Sequence, residues 1–450
     1  MRKSLLLMLA LCSLPRPAVA NEQKSSQKID VQIWRLANGL QVAFVRQSRV
    51  PVVTVQVWYG VGSKDERRGI RGSAHMFEHM MFKGSKRVRP EAHARMISSV
   101  GGSCNAFTTE DVTAYHNTVP KQYLDFALKL EAERMRSLVL TDKWIDKERQ
   151  VVKEEKRKRL DNSPIGRALE ALTALTFEKH PYAWTPAGFL EELNRMKRSD
   201  FRAFYDRYYQ PNNATVVVVG DVERPAVEAA VNEYFSKIPK APDPPRVAVK
   251  EPEQRAYREK VGDWPSQLSV FIGAYHIPAA NHPDIPALEM LSTILSAGRT
   301  SRLYQALVRK KQIAVAAGGF VWPREQPGVL IIYGIGLPRH DVAKIKAELL
   351  TELERVADEG VASTELLRAQ NQLATSHLRR LRTVYGIANA IGMSTYVQGN
   401  PRAFLEDERR FDAVTQSDIK RVAQRYLRRS NLSAIVLPAS SGKAAKGGRR

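Results

Sequence analysis

The segment Ser199-Asp200-Phe201-Arg202-Ala203-Phe204-Tyr205-Asp206-Arg207-Tyr208 can be laid without a gap on Ser417-Asp418-Ile419-Lys420-Arg421-Val422-Ala423-Gln424-Arg425-Tyr426. The match continues from Asn213 and Val218 to Asn431 and Val436, at an offset of 218 residues. Solenoid repeats run at roughly 20–50 residues, so a period this long means a duplicated domain. The first copy of the segment reads as a helix capped by Ser199-Asp200, and a β-branched strand, Thr215 to Val219, follows and is closed by Gly220-Asp221. Helices and strands are thus mixed inside each copy. The expected fold class is α+β, with two homologous domains that each pack a mixed or antiparallel sheet against helices.

Toward the N-terminus, Val31 to Leu36, Asn38-Gly39 and Leu40 to Val45 read as a hairpin, because Asn-Gly supplies the two positive φ angles of a tight turn. Val52 to Tyr59 alternates as a third strand, and Gly60, Gly62 and Gly69 break the chain after it. Pro90 to Val100 reads as a helix, Ser103 to Thr109 and Asp111 to His116 as extended segments. Helical periodicity returns from Tyr123 through Ser137, and from Thr141 or Asp142 to about Leu160. Between the two copies, residues 239–265 contain Pro239, Pro242, Pro244, Pro245 and Pro252 and read as a semi-rigid linker. The expected domains are therefore 21–238 and 266–438, followed by a small, polar, basic tail at 439–450 that is expected to be disordered.

Residues 1–20 have the pattern of a secretory signal peptide: Arg2 and Lys3, an apolar run from Leu5 to Leu14, and Ala18-Val19-Ala20 before a cut ahead of Asn21. The expected address is exported, and periplasmic if the source is a Gram-negative bacterium. Cleavage would leave Cys104 as the sole cysteine, so no internal disulfide is expected and the fold must stand on its apolar core. No later apolar stretch approaches the length that spans a bilayer, so no membrane span is expected. The formal charge is +23. The exported address argues against nucleic acid as a partner, and the basic residues are scattered rather than interleaved with aromatic stacking platforms.

The chemistry concentrates in Gly72-Ser73-Ala74-His75-Met76-Phe77-Glu78-His79-Met80-Met81-Phe82-Lys83-Gly84. Two histidines four apart share one face of a helix, where both can reach one tetrahedral metal ion, most plausibly zinc. Glu78 is placed to reach a metal-held water without being a ligand. The pattern is H-x-x-E-H, the inverse of H-E-x-x-H. Met76, Phe77, Met80, Met81 and Phe82 supply an apolar body for burial, and Gly84 is a natural stop. A catalytic zinc takes a third protein ligand, for which the helix holding Glu148, Glu154 and Glu155 offers candidates. Glu148 and Glu155 share a face and Glu154 points about 100° away, but spacing alone does not choose among them.

Taken together, His75-Met76-Phe77-Glu78-His79, Glu148-Arg149 with Val151-Val152 and Glu155, Gly101-Gly102 with Asn105-Ala106 and Thr108, His180-Pro181-Tyr182, and Pro211-Asn212 leading into Val216 to Asp221 form a specific set. Across nearly the whole mature chain the sequence resembles the pitrilysin or insulinase-type zinc peptidases, the inverzincins, above all their smaller members related to the mitochondrial processing peptidase. The resemblance implies a clamshell-type architecture and one zinc ion per chain. It implies a glutamate about 76 residues after the second histidine as third ligand, which lands on Glu155, with Glu148 supporting the site from the same helix. It also implies peptide-bond hydrolysis with Glu78 as general base on zinc-bound water, and pairing of an extended substrate along an edge strand at Asn105-Ala106. The implied substrates are extended or unfolded peptides.

One departure stands out. In active family members the stretch matching Ser301 to Val315 carries an arginine and, seven residues on, a tyrosine that hold the substrate from across a chamber. Here those positions are Val308 and Val315. Valine gives no hydrogen-bond donor to an oxyanion, and losing one such donor costs about 2.7–4 kcal/mol of transition-state stabilisation. The expectation is therefore a zinc-bearing subunit completed by a related partner that brings the arginine and tyrosine, a heterodimer rather than a homodimer. The alternative is a weakly active or non-catalytic envelope scaffold that keeps the peptidase fold. Intact Glu78 speaks against the scaffold, which needs no base beside a metal.

Overall fold

The structure, a computed structural model, describes residues 29–440. The expected leader and residues 441–450 of the expected tail lie outside the described residues. Two sheets organise the chain. The first is built from β1 (Gln32–Arg35), β2 (Gln41–Arg46), β3 (Val52–Tyr59), β4 (Ser103–Thr108), β5 (Thr113–Pro120) and β6 (Ala214–Gly220), in the order β1-β2-β6-β3-β5-β4. Only β2 and β6 run parallel. The β1–β2 hairpin forms around Asn38-Gly39, with Arg35 opposite Gln41, but through a wider turn than the two-residue one expected: Leu36 N donates to Leu40 O, and of the Asn-Gly pair only Gly39 takes a positive φ, 91°.

The second sheet contains β7 (Arg258–Val261), β8 (Ser269–Ile277), β9 (Ala316–Trp322), β10 (Gly328–Gly336) and β11 (Leu432–Leu437), in the order β7-β11-β8-β10-β9. Its one parallel pair is β7–β11. Apart from β1, which has no counterpart, the order repeats that of the first sheet, with β7 in the place of β2, β11 of β6, β8 of β3, β10 of β5 and β9 of β4. Strand β7 lies inside the stretch read as linker: Arg258–Val261 leaves the proline-rich segment and joins the second sheet.

Each sheet alternates its side chains between two faces. In the first, Val53, Val55, Val57, Val216 and Val218 pack with Met76, Phe77 and Met80 of the motif helix. On the opposite face Ala43, Val45, Trp58, Val217 and Val219 pack against Ile387, Ala388 and Ile391, which belong to a helix, Val384–Val397, of the second half. The second sheet receives the reciprocal element, since Val270, Ile272, Val329, Ile331 and Ile435 pack on Ala168 and Leu172 of the first half's helix Pro164–Thr176. These two helices begin alike: Ser163 Oγ accepts from Gly166 N at 3.1 Å, and Thr383 Oγ1 accepts from Gly386 N at 2.9 Å. The halves therefore interlock by exchanging one helix each.

The repeated helix begins slightly earlier than expected in the first half, at Arg198, so Ser199-Asp200 lies inside it rather than capping it. Asp200 reaches back to accept from Lys197 N at 2.9 Å, and Asp418 does the same for Thr415 N at 3.1 Å. The repeated aspartate thus closes the same helix start twice.

Candidate metal centre

The motif helix spans Ser73–Met80. Its start is set by Gly72, whose φ of 102° is a left-handed turn that a Cβ would disfavour. The buried Glu66 accepts from Gly72 N and Ala74 N, both at 2.8 Å, and so satisfies two amides at the helix start. The helix ends at Met80, and a turn through Lys83 carries the chain to Gly84 at φ 103°. A second helix, Asp142–Lys156, packs against it. Thr141 caps that helix by accepting from Trp144 N at 3.3 Å, and past Lys156 the chain winds into a wider π-helical turn at Arg157–Asp161.

These two helices bring His75, His79 and Glu155 together. His75 Nε2 is 3.8 Å and His79 Nε2 3.4 Å from Glu155 Oε2, and the three ligand atoms lie within 4.8 Å of one another. Bonds of about 2.0–2.1 Å in a tetrahedral zinc site separate ligand atoms by about 3.4 Å, so two imidazoles and one carboxylate at these distances fit that ion. Glu148 lies on the other side of His79, its Oε2 3.3 Å from Nδ1. Glu154 is exposed and pairs with Arg157, away from the histidines. Arg159, from the π-helical turn, reaches the free oxygen Oε1 of Glu155 at 2.7 Å.

Glu78 stands beside the triad, and Thr108 Oγ1 donates to its Oε2 at 2.8 Å. Burial raises the Glu78 carboxyl above the ordinary carboxylate range, against the opposing pull of that hydrogen bond. Burial, aided by the neighbouring His79, holds the His75 imidazole below its usual range. Burial would lower His79 too, but the hydrogen bond with Glu148 and the charges of Glu155 and Glu78 outweigh it and raise that pKa. For Glu148, burial is outweighed by the hydrogen bonds with His79 and Lys83, which lower it.

Thr108 ends β4, an edge strand hydrogen-bonded to β5 on one side only. Asn105 and Ala106 lie in that strand, Asn105 exposed and Ala106 buried. The second half's Val308 falls in the helical segment Tyr304–Lys310, and the exposed Val315 immediately precedes β9. Sequence reasoning did not assign roles to Glu66, Thr108, Arg159 or Lys83. Thr108 and Lys83 act through residues distant in the chain, Arg159 through one a helical turn back, and Glu66 through amides six and eight residues on, and no spacing motif marks any of them.

Fold and site together define a class: duplicated α+β chains that carry an H-x-x-E-H helix in the first half, facing a glutamate from a second helix. Residues 41–186 match the family described as Insulinase (Peptidase family M16), and residues 195–373 the family described as Peptidase M16 inactive domain. A zinc protease, PqqE, of Helicobacter pylori is 32% identical over 407 residues, covering 89% of this chain and 91% of that protein. A probable mitochondrial-processing peptidase subunit beta of Arabidopsis thaliana is 25% identical over 423 residues, covering 92% of this chain and 79% of that one. The crystal structure of a protease from Helicobacter pylori superposes with a TM-score of 0.88 at 31% identity, covering 91% of this chain and 99% of that chain. The chain belongs to peptidase family M16, the insulinase family of zinc proteases.

No helix among the described residues is long and apolar enough to cross a membrane.

Proposed function

We propose that the chain is the zinc-bearing subunit of an exported endopeptidase that hydrolyses extended or unfolded peptides. One observation carries the reading: His75, His79 and Glu155 converge while Glu78, which is not part of the triad, is held beside them by Thr108. His75, His79 and Glu155 would hold one zinc ion, which when bound supplies Lewis acidity to the scissile carbonyl. Glu78 accepts a proton from the attacking water and returns it to the leaving amine. Its raised pKa suits that exchange, because a carboxyl nearer neutrality is both a stronger base and an acid that remains able to give the proton back.

The unpaired edge of β4 would receive the substrate as an added strand, with main-chain hydrogen bonds along Asn105-Ala106 supplying affinity with little sequence selectivity. Thr108, at the end of that strand, ties the substrate's position to the carboxylate that must reach the water. At Val308 and Val315 the second half lacks the two donors that active members of the family carry there, so a related subunit would bring an arginine and a tyrosine; the beta-subunit name of the plant relative accords with such a division. Residues 1–20 would direct the chain out of the cytoplasm.

The test is cleavage of a fluorogenic unfolded peptide by the zinc-loaded chain, alone and with a co-expressed related chain lacking H-x-x-E-H. Weak cleavage alone, a large gain with the partner, and loss on chelation or in Glu78→Gln are expected. Activity that survives Glu78→Gln would refute the role given to that residue, and full activity from a homogeneous single chain would refute the shared site.

A further inference from the structure

Behind the triad, a line of charges leads away from His79. His79 Nδ1 is 3.3 Å from Glu148 Oε2, and Glu148 Oε1 is 3.0 Å from Lys83 Nζ. Lys83 in turn lies 3.1 Å from Glu91 Oε1, which Lys147 also approaches at 2.9 Å. Glu148 is the buried member, its side chain 3% exposed, and Lys83 is mostly covered. Glu91 is held unusually: its φ of 60° is in the left-handed region that a residue with a Cβ seldom adopts, and its N–H donates to Phe82 O at 3.1 Å. The turn after the motif helix is thus pinned to the residue that fixes Lys83.

The two candidate imidazoles are not equally supported. His75 Nδ1 is buried with no hydrogen-bond partner among the described residues, so His79 is the one whose ring is oriented by a hydrogen bond. For Nε2 of His79 to face Glu155 as a lone pair, Nδ1 must carry the proton and a fixed acceptor must take it. A carboxylate gripped at one oxygen only can turn about its own axis. Lys83, 3.0 Å from Oε1 as an ion pair rather than an aligned hydrogen bond, opposes that turn by its charge and offsets the negative charge of Glu148. We propose that Lys83, anchored by Glu91, is a positioning residue for the metal centre: it locks Glu148, and through Glu148 it sets the His79 ring and the tightness with which the triad holds its ion.

This inference rests on the zinc reading above, and the experiment separates the two. Zinc affinity of the full-length chain is measured by competition with a chromogenic chelator, and the unfolding midpoint of the zinc-free chain is recorded beside it. Lys83→Met keeps the aliphatic length and removes the donors and charge; zinc binding about 10- to 100-fold weaker is expected, the range found when outer partners of ligand histidines are lost. Lys83→Arg should recover most of it. In Glu148→Gln, adding Lys83→Met should weaken binding little further, because Lys83 acts through Glu148. Should Lys83→Met fail to fold, Glu91→Gln tests the same line, with a loss of about 3-fold or more expected. Wild-type affinity in Lys83→Met or, where that chain does not fold, in Glu91→Gln overturns the proposal. So does a lowered zinc-free midpoint at unchanged affinity, or full additivity with Glu148→Gln. A wild-type chain that binds no zinc overturns the metal reading itself and this inference with it.

Discussion

Thr108 shows how much of the site depends on a single hydroxyl. It is the last residue of the edge strand and the hydrogen-bond donor to Glu78, so it joins the substrate-binding edge to the base. A hydrogen bond to a charged group contributes about 1.5–3 kcal/mol. Thr108→Val keeps the shape and removes the donor, and kcat should fall about 10- to 100-fold while zinc content stays at the wild-type level. An unchanged kcat would show that Glu78 is oriented by other means. At this scale the sequence was partly legible. His75, Glu78 and His79 declare themselves by spacing, because a helix turns a four-residue interval into a shared face. Glu155 needed the family resemblance, since Glu148 lies on the same helix face one heptad earlier. The structure separates the two by the His79 nitrogen each faces.

Among the elements, the exchanged helix Val384–Val397 packs closely on the first sheet. Gly392 lies so close to the first sheet that a Cβ there would be 2.0 Å from the Trp58 ring. Trp58 is fully buried and its Nε1 donates to Gln56 Oε1 at 2.9 Å, so the ring has little freedom to move aside. Gly392→Ala should therefore lower the stability of the chain by about 1–3 kcal/mol, the usual cost of overpacking, although alanine favours a helix. A thermal midpoint at or above wild type would mean that the helix can shift on the sheet. The sequence revealed the repeated helix and strand through the match of Ser199–Tyr208 to Ser417–Tyr426, yet it did not reveal the exchange. Helices Pro164–Thr176 and Val384–Val397 share a cap and an early glycine but little else, and periodicity says which face is apolar without saying which sheet covers it. The linker reading missed β7 for a related reason: Arg258–Val261 is mostly exposed and polar, and its identity as a strand comes from pairing with β11, far along the chain.

For the molecule as a whole, the interlocked halves are joined by a buried polar seam. Across it the buried Lys64 lies 3.2 Å from the half-exposed Glu325, Arg324 donates to Glu110 at 3.1 Å, and Asp111, which accepts from the Tyr182 hydroxyl within the first half, also accepts from Glu325 N at 3.1 Å. Removing one partner from such a buried network is strongly destabilising. The first half also buries His93, whose Nε2 lies 3.2 Å from Asn117 Oδ1, beside the ion pair of Glu131 and Arg134. Burial, reinforced by the Arg134 charge, pushes the His93 imidazole down to about 3. Its unfolded value is about 6.5, so between these limits the unfolded chain binds more protons and stability rises with pH. The contribution is complete above about pH 6.5 and is lost as pH falls toward 3, amounting to about 2 kcal/mol by pH 5. His93→Gln should remove that part, so the loss of unfolding free energy between pH 7.5 and pH 5 should be smaller than in wild type. Equal losses in the two chains would show that His93 is free to protonate in the fold.

On the proposed reading, His75, His79 and Glu155 form one zinc site with Glu78 beside it but outside it. Zinc content per chain, measured by elemental analysis of the metal-loaded and desalted protein, tests this most directly. One zinc is expected in wild type and one in Glu78→Gln, with far less than one in Glu155→Gln and in His75→Ala. A full equivalent retained by Glu155→Gln, or lost from Glu78→Gln, would contradict it.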